Sequence, residues 1–100
     1  MTLTNNKASQ WYHTLRKDCI LAYGGICACC GESEFGFLTI DHINGGGRRH
    51  RKNTGGGSNY LREIRKLGFP RGFRVLCYNC NNAYNSFGYC PHQKEHKNEI

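Results

Sequence analysis

Residues 37–43, Phe-Leu-Thr-Ile-Asp-His-Ile, decide how the chain is read. Aromatic and β-branched residues between Gly36 and Asn44-Gly45 mark a short strand. It ends in Asp41-His42, an oxygen donor beside an imidazole. Two Cys-x-x-Cys pairs bracket it, Cys27/Cys30 upstream and Cys77/Cys80 downstream. Such a pair lets one turn aim two thiolates at one ion, and two pairs make a four-thiolate structural zinc site. Gly31 suits the tight backbone that follows the first pair.

The gap between the pairs, residues 31–76, exceeds that of a compact zinc ribbon. Closing so long a loop costs chain entropy, which zinc binding, worth roughly 10 kcal/mol or more in small metal domains, offsets. An ion held by four thiolates has no open position, so this zinc is structural and catalytically silent. Cys29, inside the first turn, is read as a passenger, with a swap for Cys30 as the alternative. Cys19 is read as a small core residue. Cys90-Pro-His92 is a poor chelating turn by the usual spacings and is expected to pack or stay free. Replacement of one thiolate by Cys90 or His92, or a second ion there, is the alternative.

The bulk numbers agree with a stapled domain. One hundred residues, 38% of them hydrophobic, give a single domain with a thin core, and seven Cys can reinforce it. No apolar run reaches membrane-spanning length, so no membrane partner is expected. Residues 1–7, Met-Thr-Leu-Thr-Asn-Asn-Lys, lack the apolar core of a signal peptide. The expected address is cytoplasmic, where thiols stay reduced and metal is favoured over disulfide. The formal charge is +7, but nine Lys or Arg and a single acid, Glu63, fall between Arg48 and Arg74. A concentration of this kind is the footprint of a polyanion partner. The bland alternative is a solvated helix face beside a disordered basic loop.

In chain order, residues 8–23 read as a helix with Trp11, Leu15, Cys19 and Ala22 on one stripe, widened by Tyr12 and Ile20 and ended by Gly24-Gly25. Trp11 and the tyrosines are read as core packing. The first strand occupies 35–43, and residues 44–58 read as a long, flexible, basic Gly-rich loop. Residues 59–67 form a short helix with Leu61, Ile64 and Leu67 on one side, stopped by Gly68 and Pro70. A second strand over 73–76 leads into Cys77, and a last helix runs over about 78–87.

The order and spacing of these anchors resemble the HNH endonucleases of the ββα-metal group. The resemblance rests on Cys27-x-x-Cys30-Gly31, the apolar strand ending in Asp41-His42-Ile43, and Leu76-Cys77-Tyr-Asn-Cys80-Asn81, and it covers residues 24–92. Its basic loop and Cys90-Pro-His92 look like those of small phage-type versions. It implies an α+β fold, a small zinc-stabilised ββα-metal domain with an N-terminal helix (1–23), a core (24–92) and a charged tail (93–100). It also implies a host-cell cytoplasmic location if the chain is phage-encoded.

The resemblance implies DNA as substrate and phosphodiester hydrolysis as the reaction. His42 would be the general base, since a neutral imidazole can take a proton from water near neutral pH. Asp41 and Asn81 would ligate a catalytic Mg²⁺ or Mn²⁺, with Asn85 assisting one helical turn on. The last helix would also offer its N-terminus to the phosphate. In a regular strand Asp41 and His42 point to opposite faces, so one site for both requires a break or kink there. The pattern's middle Asn falls on Gly72, leaving Asn59 or Asn44 to steady the imidazole. Arg48, Arg49, Arg51, Lys52, Arg62, Arg65 and Lys66 are candidates for the DNA backbone, and His50 for a phosphate contact.

The competing reading is a non-catalytic zinc module that binds nucleic acid, which would have no use for Asp41-His42. A third is a toxin or restriction subunit that borrows its targeting from a partner. A homodimer or a targeting partner is compatible with each.

Overall fold

A computed structural model describes residues 7–56 and 58–93, with side chains described from residue 10 onward. The charged tail beyond Gln93 and the first six residues, both named above, lie outside the described residues. Helix α1 spans Lys7–Ala22, strand β1 Leu38–His42, helix α2 Gly47–Asn53, helix α3 Asn59–Lys66, strand β2 Phe73–Cys77 and helix α4 Tyr78–Phe87. The result is an α+β fold of four helices and a two-stranded antiparallel sheet among the described residues. No described helix is long and apolar enough to cross a membrane.

The hairpin register pairs Leu38 with Cys77, Ile40 with Val75, Asp41 with Arg74 and His42 with Phe73. Leu38, Ile40, Val75 and Leu76 are buried, and helices α1, α3 and α4 cover them with Leu15, Cys19, Ile20, Leu61, Ile64 and Ala83. A guanidinium stitches α1 to the sheet: Arg16 donates to the carbonyls of Phe35 and Leu38. Cys19 is a core residue as expected. Its thiol donates to the Leu61 carbonyl at 3.6 Å, and burial pushes it up to about 11.

Helix ends follow the glycines. Gly25 N–H reaches Ile20 O at 2.9 Å to close α1, and Phe69 N–H reaches Ile64 O at 2.9 Å to close α3. Three expectations change in the structure. Trp11 and Tyr12 are exposed rather than packed, because α1 meets the core only from Leu15 onward. Trp11 instead lies under the Arg62 guanidinium at 5.3 Å. Residues 35–37 form a 3₁₀ turn, so β1 is shorter than expected. Within the supposed basic loop, residues 47–53 are helical. This helix buries nothing, and its side chains hold it: Thr54 Oγ1 donates to His50 O at 3.0 Å, and His50 meets Glu63 of α3 at 2.7 Å.

Candidate metal centre and cleft

The Cys27–Gly31 turn is built by backbone bonds. Gly31 N–H donates to Cys27 O at 2.9 Å, with Gly31 at φ +86°, and Ala28 N–H donates to Val75 O at 2.8 Å. These bonds fix the first Cys pair against β2. Cys77 ends β2 and caps α4, its sulfur accepting from Cys80 N–H at 3.4 Å. One N–H of the first turn of α4 is thus directed at a thiol of this cluster. The sulfurs of Cys27, Cys30, Cys77 and Cys80 lie within 4.8 Å of one another, with Cys30 and Cys77 3.8 Å apart. Four thiolates with zinc bonds of about 2.3 Å form a tetrahedron of edge about 3.8 Å, so the donor set fits a metal ion such as zinc.

Burial opposes the Cys27 thiolate, but the N–H groups of Cys30, Cys77 and Cys29 outweigh it and bring the thiol down to about 6. Burial and the neighbouring thiols push Cys80 up. Several thiolates cannot gather here without a cation to offset their repulsion.

Cys90 packs into the core, as expected of it, but Cys29 and His92 come close to it. A second group, Cys29, Cys80, Cys90 and His92, also has its donor atoms within 4.8 Å of one another. The 3₁₀ turn at Pro91–Gln93, closed by Gln93 N–H to Cys90 O at 2.8 Å, folds the imidazole back onto the sulfurs. Spacing rules drawn from hairpin knuckles do not anticipate such a turn.

Beside the end of β1 and helix α4 lies a cleft of about 600 Å³. Asp41, His42, Asn81 and Asn85 all border it, with the Gly45–Gly47 turn, Arg48, Arg51, Arg74 and Tyr84 completing the wall. The strand does not kink: His42 remains paired with Phe73. Asp41 and His42 do diverge, and the cleft wraps the strand end to take in both. On one side Asp41 Oδ2 accepts from Arg74 Nε at 2.9 Å, and that guanidinium lies 4.6 Å over the Tyr84 ring. On the other, the His42 ring meets Phe73 edge-on, with centroids 4.8 Å apart.

His42 Nε2 lies 2.8 Å from His50 Nδ1, and His50 Nε2 lies 2.7 Å from Glu63 Oε1. The chain of bonds fixes the tautomers. A carboxylate only accepts, so His50 Nε2 carries the proton; neutral His50 then accepts at Nδ1, and His42 must donate from Nε2. His42 Nδ1 is left with a free lone pair beside Gly47. A Cβ at Gly47 would stand 3.0 Å from Nδ1, so glycine there keeps the nitrogen open. Burial, helped by Arg51 against the pull of Asp41, holds His42 below its ordinary 6.5. The imidazole's partner is therefore His50, not Asn59 or Asn44. At Gly72 it is the backbone carbonyl that takes part, accepting from Ile43 N–H at 2.9 Å.

The basic residues split into two sets. Arg48 and Arg51 face the cleft, and Arg49 and Lys52 are exposed on the same helix α2. Arg62, Arg65 and Lys66 lie along α3 beside Glu63, where Arg62 covers Trp11 and Arg65 donates to Asp18 at 3.1 Å. No family model, curated protein or solved structure matches the chain.

Proposed function

We propose that this chain is a metal-dependent DNA endonuclease of the ββα-metal kind, hydrolysing phosphodiester bonds in the cleft beside β1. The observation that carries the reading is the His42–His50–Glu63 chain. It leaves one imidazole nitrogen unprotonated at a cleft edge that also bears a carboxylate, two carboxamides and arginines.

His42 Nδ1 takes the proton of a water as it attacks phosphorus, and the new imidazolium stays anchored through its Nε2–H to His50. Arg48 and Arg51 hold the phosphate backbone at the rim. Asp41, Asn81 and Asn85 supply the hard oxygen donors that suit Mg²⁺ or Mn²⁺. Such an ion, when bound there, stabilises charge on the phosphate and the departing 3′ oxygen. Zinc in the four-thiolate site is structural in this reading, clamping the hairpin to α4.

A second reading has its own support. Arg74 already engages Asp41, as in a surface that binds nucleic acid without cutting it. Incubating supercoiled plasmid with the protein and Mg²⁺ or Mn²⁺ decides between them. Cleavage by the wild type, lost in His42→Ala, is the expected result; intact plasmid across divalent ions, with retained DNA binding, favours the binding module.

A further inference from the structure

We infer that the cysteine-rich end of the molecule holds two metal ions that share the Cys80 thiolate. The inference is independent of the proposed nuclease activity, since it concerns only the clamp.

The two donor groups have Cys80 in common. One is completed by Cys27, Cys30 and Cys77, the other by Cys29, Cys90 and His92. Two tetrahedra that share a corner require seven donors, and this end of the chain brings seven together. Of the seven cysteines in the sequence, only Cys19 stands apart, in the core between α1 and α3. The spacing in the second group suits an ion as well as that in the first. With zinc–sulfur bonds of about 2.3 Å and zinc–nitrogen bonds of about 2.0 Å, a tetrahedral edge between sulfur and nitrogen is about 3.5 Å. His92 Nδ1 lies 3.1 Å from Cys90 Sγ, 3.4 Å from Cys80 Sγ and 3.9 Å from Cys29 Sγ, values that scatter about that edge.

The surroundings of the second group support the same conclusion. Cys80 and Cys90 are buried, while Gln93 Nε2 donates to Cys29 Sγ at 3.2 Å and reaches Cys29 O at 3.4 Å. A donor aimed at a sulfur is how outer groups steady a metal-bound thiolate. No described cysteine is in a disulfide. On binding, each thiol loses its proton to solvent and no electron moves, so the site needs only the divalent ions themselves. The shared sulfur lies on α4, so one ion joins the 27–30 turn to the hairpin and helix, and the other joins the 90–92 turn to the same helix.

The test loads the full chain, reduced and under anaerobic conditions, with ¹¹³Cd²⁺. The expected result is two ions per chain and two resonances, one from an all-sulfur site and one from a site with a nitrogen donor, split by coupling through the common sulfur. His92→Ala and, separately, Cys90→Ser should drop the bound ions from two to one and abolish the splitting while the all-sulfur resonance remains. A single ion per wild-type chain overturns the inference, and so do two resonances without mutual coupling. Plasmid cleavage plays no part in this readout, so failure of the nuclease proposal leaves the result interpretable.

Discussion

Asp41 and Arg74 are directly paired across the hairpin, and their side chains close the same rung: Arg74 Nε donates to Asp41 Oδ2 at 2.9 Å. A residue expected to ligate a cation thus shares its carboxylate with a fixed cation. Arg74 competes for one oxygen and repels an incoming ion. Arg74→Gln is expected to tighten Mn²⁺ binding in the cleft by on the order of tenfold, read by the Mn²⁺ resonance signal, a change of about 1.4 kcal/mol. Absence of bound Mn²⁺ in both proteins would remove the hydrolytic reading.

The pH profile follows from the state His42 must be in. The base works only as neutral imidazole, and burial holds His42 below 6.5. Activity should fall as pH drops through that lowered value and be flat above 6.5. A midpoint of kcat/KM above 6.5 contradicts the assignment.

His50 acts through His42 as a positioning residue. His50→Ala uncovers the His42 ring and relieves the burial that holds it down, so the acid limb should move to higher pH while kcat falls by on the order of tenfold. Glu63→Gln tests the tautomer argument. Its amide can donate to His50 Nε2, which puts the proton on Nδ1 and forces His42 to carry its own at the wrong nitrogen. Loss of kcat with KM unchanged, at unchanged circular dichroism, is the expected signature.

Structural and catalytic roles should separate on mutation. Cys77 ends a strand, caps a helix and sits in the four-thiol group, so Cys77→Ala should unfold the domain. His42→Ala should remain folded and lose about 10²–10⁴-fold in rate. Equal loss of circular dichroism in both would contradict the division.

Salt dependence should distinguish the two arginine sets. Arg48→Ala and Arg51→Ala should each lower the slope of log K against log salt by about 1. Arg62→Ala and Arg65→Ala, whose side chains already cover Trp11 and pair with Asp18, should change it little.

Much of this architecture is written locally. The Cys77-Tyr-Asn-Cys80 knuckle, Gly68 and the alternation around Ile40 and Val75 carry their own geometry, and the helix expected over 78–87 lies there. Helix α2 is not legible, because Gly-Arg-Arg-His-Arg-Lys-Asn has no apolar stripe and is held from outside by Glu63. The role of His50 is not legible for the same reason: its partners, eight and thirteen residues away, meet it only after two turns. Trp11 misleads in the opposite direction. It keeps the spacing of a core stripe beyond the point where there is core to meet.

Strand β2 passes into α4 with no residue between them, since Cys77 ends one and Tyr78 begins the other. The junction has no slack. One residue inserted there would swing Asn81 about 100° around its helix axis and out of the wall it shares with Asp41. Between positions 77 and 81 the spacing is frozen.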